Sequence, residues 1–352
     1  MIDRQFLSSL FVLLALSTLP LALTQDSSSK LFQELKGRAV SEGVALVRTT
    51  PSNEWEIVPI TGQSRTIRNP RGLSGAWFAV NGKILAWNIG SWPGESFASC
   101  PSPIIVATSD GTQIWQVPGS VINSSAIAVS DDGRRVAFDG TYKPNGTGFL
   151  NTASNRQNWV TGLQTAEMTT DSVSLILPLK DSFDGTTVPE HIGWITWSPD
   201  GSKLAYDFRE QIYIYNVQSK VTLPLVRGSN PTWSPDGKWI AFRSPESEAH
   251  IVDPQTTERR ILIPQHKIIW GVHWSPDSQY VLFGQPRPRF VPLLDPSTQL
   301  VVYRIRDGAN VTIYEFGGLE VASDFGFFWT KDSVKFLEAA KTPPTIMPCD
   351  QR

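Results

Sequence analysis

Few side chains in this 352-residue chain are of a type and spacing that could do chemistry, and they are scattered. Aspartates recur at one place in a repeated pattern: Asp131, Asp132, Asp200, Asp236, Asp277 and Asp332. A ring of carboxylates could hold cations. A calcium loop, however, needs closely alternating Asp or Asn ligands and a terminal Glu, and no stretch supplies them. Each aspartate instead sits in Ser-Pro-Asp-Gly or a worn copy of it, where its side chain accepts hydrogen bonds from nearby backbone N–H groups and shapes a turn. The histidines, His191, His250, His266 and His273, lack the compact spacing of a His-Glu-x-x-His zinc site. No Gly-x-Ser-x-Gly elbow presents a nucleophile, since Gly90-Ser91-Trp92-Pro93-Gly94 has its serine one place early. No glycine loop suits a phosphate either, so the sequence implies no cofactor, no metal and no catalytic motif. A net charge of −2 gives no electrostatic reason to expect nucleic acid or an anionic membrane as partner.

The aspartates belong to a larger pattern. Trp197-Ser198-Pro199-Asp200-Gly201 returns as Trp233-Ser234-Pro235-Asp236-Gly237, as Trp274-Ser275-Pro276-Asp277-Ser278, and in worn form as Trp329-Thr330-Lys331-Asp332-Ser333. An apolar strand follows each, as in Leu204-Ala205-Tyr206 and Ile240-Ala241-Phe242. Two fainter copies centre on Gly82 and Gly133, followed by Leu85-Ala86-Trp87 and Val136-Ala137-Phe138. Periods of this size indicate a solenoid or a propeller. Proline presets the turn, aspartate ties it, and glycine takes the positive φ. The flanking residues are aromatic and β-branched, so each turn joins two strands, and two further short strands follow. Six such four-stranded antiparallel sheets match the radial plan of an all-β, six-bladed propeller. Ala205 and Ala241 suit inner positions where neighbouring blades crowd together. His191 and His273, near the starts of inner strands, are placed to face a central channel.

On these residues the chain resembles the TolB-type propeller repeat, a Trp-Ser-Pro-Asp-Gly run followed by an apolar-Ala-aromatic strand. The resemblance covers roughly residues 43 to 340 and lacks the N-terminal domain of TolB. It implies a fold. Propellers of this type act as binding platforms, as partner domains of prolyl-oligopeptidase-like enzymes, and occasionally as enzymes.

Residues 1–24 read as a secretory signal peptide: Arg4 precedes an apolar run from Phe6 to Leu23, and small residues precede Gln25. Residues 25–42 are polar and then mildly amphipathic, a disordered start or a short helix. The propeller is expected over 43–340 and a tail over 341–352. Two strands, Val44 to Thr49 and Trp55 to Ile60, precede the first repeat, while the last repeat has only its first two strands. The N-terminal pair is therefore expected to complete the sixth blade, two strands from each end. That closure would bring Cys100 and Cys349 onto one face, where an oxidising compartment favours a disulfide.

The turns pave one face of such a ring, and the long connections open on the other. They run from Asn88 to Ser102, from Thr141 to Asn158 within an insert reaching Thr170, and from Gln285 to Thr298. Long loops on a rigid scaffold are where binding is usually placed. Trp92, Phe97, Phe149, Arg287, Arg289 and Phe290 are the candidate binding residues, because aromatics and arginine anchor interfaces. The reading is an exported, periplasmic or extracellular, monomeric and non-catalytic module that recognises a protein or peptide. The alternatives are a saccharide lyase or hydrolase with its site in the channel, and a purely structural envelope module.

Overall fold

The computed structural model describes residues 27–38, 103–108, 112–122, 126–144, 160–180, 190–263, 268–286 and 298–316, together with the strands between 45 and 89 and at 325–328. Helix α1 spans residues 27–38, within the stretch expected to be disordered or helical. Apart from it, the described elements are strands. β1 (Ala45–Thr49), β2 (Trp55–Pro59) and β3 (Arg65–Ile67) come next. The first repeat forms an antiparallel sheet in chain order, β4 (Leu73–Phe78), β5 (Ile84–Ile89), β6 (Ile104–Thr108) and β7 (Gln113–Gln116). The second sheet is larger. Its core is β9 (Ile127–Val129), β10 (Arg135–Phe138), β12 (Val160–Glu167) and β13 (Ser172–Pro178), and β8 (Ser120–Ile122) and β11 (Thr141–Lys143) extend it beside the start of β12.

Three regular sheets follow. The third is β14 (Ile195–Trp197), β15 (Lys203–Phe208), β16 (Gln211–Asn216) and β17 (Val221–Arg227). The fourth is β18 (Ser229–Trp233), β19 (Ile240–Arg243), β20 (Ala249–Val252) and β21 (Arg259–Ile261). The fifth is β22 (Ile269–Trp274), β23 (Tyr280–Pro286), β24 (Thr298–Arg304) and β25 (Asn310–Phe316). Finally β26 (Phe325–Phe328) pairs with β1, which carries β2 and then β3. The first strands neighbour one another in the order β4, β9, β14, β18, β22, β26.

Two expectations need correction. The composite sheet does not take two strands from each end: β1 lies directly against β26, with Ala45 opposite Phe328 and Arg48 opposite Phe325. Three N-terminal strands thus join one C-terminal strand, because β3, a three-residue strand with no alternating pattern to reveal it, completes the set. The blade-two insert is also shorter than Thr141 to Thr170. Residues 160–167 are the blade's own third strand, in register with β10, so the extra residues lie between β10 and β12 and include β11.

Each of the four described signature turns has the same internal wiring. Ser198 donates its hydroxyl to Asp200 at 2.6 Å and accepts the Lys203 N–H at 2.9 Å, while Asp200 accepts the Ser202 N–H at 3.0 Å. Ser130 with Asp132, Ser234 with Asp236, and Ser275 with Asp277 repeat it. The glycine position needs a left-handed backbone: Gly133, Gly201 and Gly237 have φ of 70°, 67° and 73°, and Ser278 adopts 60° where serine replaces glycine. Ser278 has a compensating role, since its hydroxyl accepts the Asp236 N–H of the neighbouring turn at 3.0 Å. Asp132, Asp200, Asp236 and Asp277 are turn formers, as their setting predicts, and Asp332 lies outside the described residues.

The sheets pack small face on large face. Ala205 lies at no exposure against Trp233, Ile240 and Phe242 of the next sheet. Ala241 meets Trp274, Val281 and Phe283 in the same way, and Ala137 meets Trp197 and Leu204. The signature tryptophans also cross the seams. Trp197 Nε1 donates to the carbonyl of Ala128 at 3.2 Å, and Trp274 Nε1 donates to the carbonyl of Thr232 at 3.0 Å. Trp233 occupies the same place, yet its Nε1 is buried without a partner. Trp274→Phe should therefore destabilise the protein by about 1–2 kcal/mol more than Trp233→Phe, because only the former loses a hydrogen bond and strands a carbonyl. Urea denaturation of the two variants measures the difference; equal losses would leave the tryptophan N–H without an energetic role.

Candidate functional site

The first strand of each sheet runs toward its signature turn, and the second runs away from it. The ends of the second strands and the lead-ins to the next first strands therefore meet at the edge opposite the turns. There the repeat places Asp139 after Ala137-Phe138 and Asp207 after Ala205-Tyr206. Both carboxylates are buried. Asp139 Oδ1 accepts the Ala126 N–H at 2.7 Å, and its Oδ2 lies 3.9 Å from Nδ1 of His191. Asp207 Oδ1 accepts the N–H of Asn230, in the next sheet, at 3.2 Å. Gly193 passes so close to Asp207 that a Cβ there would collide with the carboxylate. The lead-in 190–194 thus runs past one buried acid of its own sheet and one of the sheet before.

Glu190 pairs with Arg209 and accepts the Lys180 N–H at 3.1 Å, so its carboxylate holds two chain segments together at the rim. Those hydrogen bonds, that from Lys180 first, keep Glu190 below its ordinary pKa. Deeper in, the Trp194 and His273 rings meet edge to face with centroids 6.1 Å apart, although they come from the third and fifth sheets. His273 keeps some surface but is ringed by protein, and this poor solvation lowers its pKa to about 4. It is a neutral imidazole at pH 7. Of the two histidines expected at the starts of inner strands, His191 lies beside Asp139 and His273 against Trp194.

Asp207 and the turn aspartates make a physical contrast. For Asp207, burial outweighs its backbone hydrogen bonds and raises the pKa to about 7. At the turns burial also acts upward, but the hydroxyl of Ser198 and the N–H of Ser202 overcome it, and Asp200 lies below its ordinary value. A carboxyl that changes charge near neutrality is a candidate for proton transfer as well as for structure. Among the described residues, no group of three or more His, Cys, Asp and Glu could hold a metal ion. Trp92, Phe97, Phe149, Arg287, Arg289, Phe290, Cys100 and Cys349 all lie outside the described residues. The rim acids that the structure does place were missed in the sequence. Their signal was present, an aspartate directly after the apolar-Ala-aromatic strand in two successive repeats.

No protein-family profile matches the chain. An uncharacterized protein of Agrobacterium fabrum is 32% identical over 148 residues, which cover 36% of this chain and 47% of that protein. Dipeptidyl-peptidase 5 of Porphyromonas gingivalis is 31% identical over 114 residues, covering 25% of this chain and 17% of that protein. The chain thus spans less than half the length of these curated relatives. A solved structure of a candidate TolB from Agrobacterium tumefaciens superposes with a TM-score of 0.50 at 16% identity, over 81% of this chain and 98% of that one. With the antiparallel four-stranded sheets and their ordered first strands, this makes the fold a TolB-like β-propeller.

Burial sets the sign of the pH response. Unfolded, Asp207 titrates near the ordinary value of about 3.9; folded, it titrates near 7. Its contribution to stability is complete below pH ~4 and is lost as pH rises through about 7. Asp207→Asn should therefore flatten the fall in melting temperature of the wild type between about pH 4 and 7. Parallel slopes in the two proteins would mean that Asp207 is already ionised in the folded state.

Proposed function

We propose that the chain is a six-bladed propeller, its ring closed through the sheet that joins β26 to β1, and that it acts as a non-catalytic binding or scaffolding module. The ligand is a protein or peptide engaged on the face opposite the signature turns. The observation that carries this reading is the asymmetry of the two edges. Along the turn edge every described signature turn is short and spends its polar groups on itself and its neighbours, as Ser198, Asp200 and Ser202 do. At the other edge the second and third strands are linked by connections of very different length: two residues between β15 and β16, eleven between β23 and β24, fourteen between β5 and β6, and twenty-one between β10 and β12 with β11 among them. A rigid scaffold with variable connections on one side is the common plan of a recognition surface.

Arg287, Arg289 and Phe290 belong to the longest connection of the fifth sheet, directly after β23. The proposal includes export to the periplasm or extracellular space behind the signal sequence at residues 1–24, a monomeric state, and a Cys100–Cys349 disulfide. Among the described residues, no helix is long and apolar enough to cross a membrane.

A second reading has its own observation. The partial likeness to a dipeptidyl-peptidase, together with the near-neutral Asp207 at the rim, supports an enzyme whose site lies at the axis. Replacing Arg287, Arg289 and Phe290 together by alanine separates the two. Binding of a partner captured from the envelope should fall by about 2 kcal/mol, roughly thirtyfold, with the melting temperature unchanged. Normal binding by the triple variant would remove the connection after β23 as the site, and peptide or saccharide turnover that disappears in Asp207→Asn would sink the non-catalytic reading.

A further inference from the structure

The second and third sheets each end their second strand on a buried aspartate, and the two acids are served differently. Asp139 has His191 beside it, six residues before the signature tryptophan Trp197. In the next lead-in the residue six before Trp233 is Arg227, a stronger cation. Yet Arg227 is exposed and turns to Glu210, at 3.8 Å. Asp207 is left with N–H groups, those of Asn230, Trp194 and its own residue, and no cation pairs with it among the described residues. A carboxylate withdrawn from water without a counter-charge is costly, and burial holds the proton on Asp207 up to about pH 7.

The surroundings suit a cation brought from outside. Asp207 donates its N–H to the Trp194 carbonyl at 3.2 Å, one step beyond the pairing of Ile195 with Tyr206. Carboxylate and indole are thus cross-strand neighbours on one face of the sheet, the face that Ala205 turns to the fourth sheet. From there the indole reaches His273 of the fifth sheet. Its electron-rich faces attract a cation, and His273, neutral at pH 7, adds no repulsion. Gly193 covers Oδ2 so closely that a Cβ would sit 2.2 Å from it. Gly193 is itself exposed, so the cover over that oxygen is thin. Asn230 has φ of 54° directly before Pro231, where extended backbone is the rule, and this costly conformation aims its N–H at Asp207. The other ionisable groups nearby are Glu190, which holds Arg209, and His191, which faces Asp139.

We infer that the carboxylate of Asp207 and the indole of Trp194 form a binding site for an alkylammonium ion, with its N–H groups on the carboxylate and its carbon chain along the ring. A metal ion fits less well, because one carboxylate and an indole supply too few oxygen ligands. The site is separate from Arg287, Arg289 and Phe290 and does not depend on how the loop face is used. Binding exchanges one charge for another: the ammonium enters as the carboxyl ionises, and the proton leaves to water.

The test titrates the full chain with butylammonium chloride, which stays charged across the range used, as a lysine side chain does. Calorimetry at pH 6 in two buffers of different protonation enthalpy counts the protons. Wild type should release close to one proton for each ion bound, and its affinity should rise about tenfold from about pH 6 to 8. Asp207→Asn, which keeps an acceptor for the Asn230 N–H, should bind at least about tenfold more weakly and release no proton. Trp194→Leu should bind about fivefold more weakly and still release it. Alanine in place of Arg287, Arg289 and Phe290 should change neither readout, so failure of the loop-face reading leaves this one standing. Competition by Nα-acetyl-lysine amide would assign the ammonium to a peptide side chain, and its failure to a small amine; both keep the site. Binding without proton release, equally tight binding of butanol, or the same affinity for potassium chloride overturns the proposal, and none of these three readouts needs a variant to fold.

Discussion

The seam between successive sheets is the constraint on which the rest of the structure depends. A flat four-stranded sheet has two faces to bury and cannot bury either alone. Here the answer is directional: the second, third and fourth sheets each offer an alanine face to the next, which meets it with a tryptophan face. The small side chain lets the backbones approach, and the indole fills the space while its N–H reaches the carbonyl beyond. Apolar burial supplies most of the energy, roughly 1.5–3 kcal/mol for each large side chain withdrawn from water. At two of these seams the indole hydrogen bond ties one sheet to its neighbour. Because the two faces differ, a sheet can be added in only one orientation, and the chain turns consistently in one sense.

Much of this was legible because repetition is a strong signal. The Ser-Pro-Asp-Gly turns, the strands they join and the alanine positions all recur, so in the third, fourth and fifth sheets the first two strands flank the turn as the repeat indicates. What escaped the sequence was whatever occurs once. β3 is three residues long, and Arg65-Thr66-Ile67 carries no period. The pairing of Val47 with Gly326 is fixed by the shape of the whole assembly and leaves no local mark. The mildly amphipathic stretch 25–42 left a short helix open, and nothing in it pointed to the sheet that receives Leu31 and Leu35. At the rim, Asp139 and Asp207 were visible as residues and invisible as neighbours, since their surroundings come from lead-in strands elsewhere in the chain.

The aspartates show why residue type does not settle role. Asp200, Asp236 and Asp132 face hydroxyls and N–H groups at an exposed edge, which favour the charged form. Asp207 lies where the chain closes over it, and there the lost solvation outweighs its hydrogen bonds. One amino acid thus serves as a charged fastener at one end of the molecule and as a titrating group near neutrality at the other. The difference lies in how much water each can reach.

The partnership of β26 with β1 bears on the order in which the molecule assembles. Arg48 and Phe325 are neighbours in space but sit near opposite ends of the chain, and α1 likewise waits for Tyr280 and Arg304. The first strands to leave the ribosome are thus among the last to find their partners, after the intervening sheets have been made. Closing so long a loop is slow, although its entropic cost grows only with the logarithm of its length. Until then β1 has an edge with no neighbour, and an unpaired strand invites association with other chains. The early residues depend on something to keep them apart from one another until the C-terminal strands arrive.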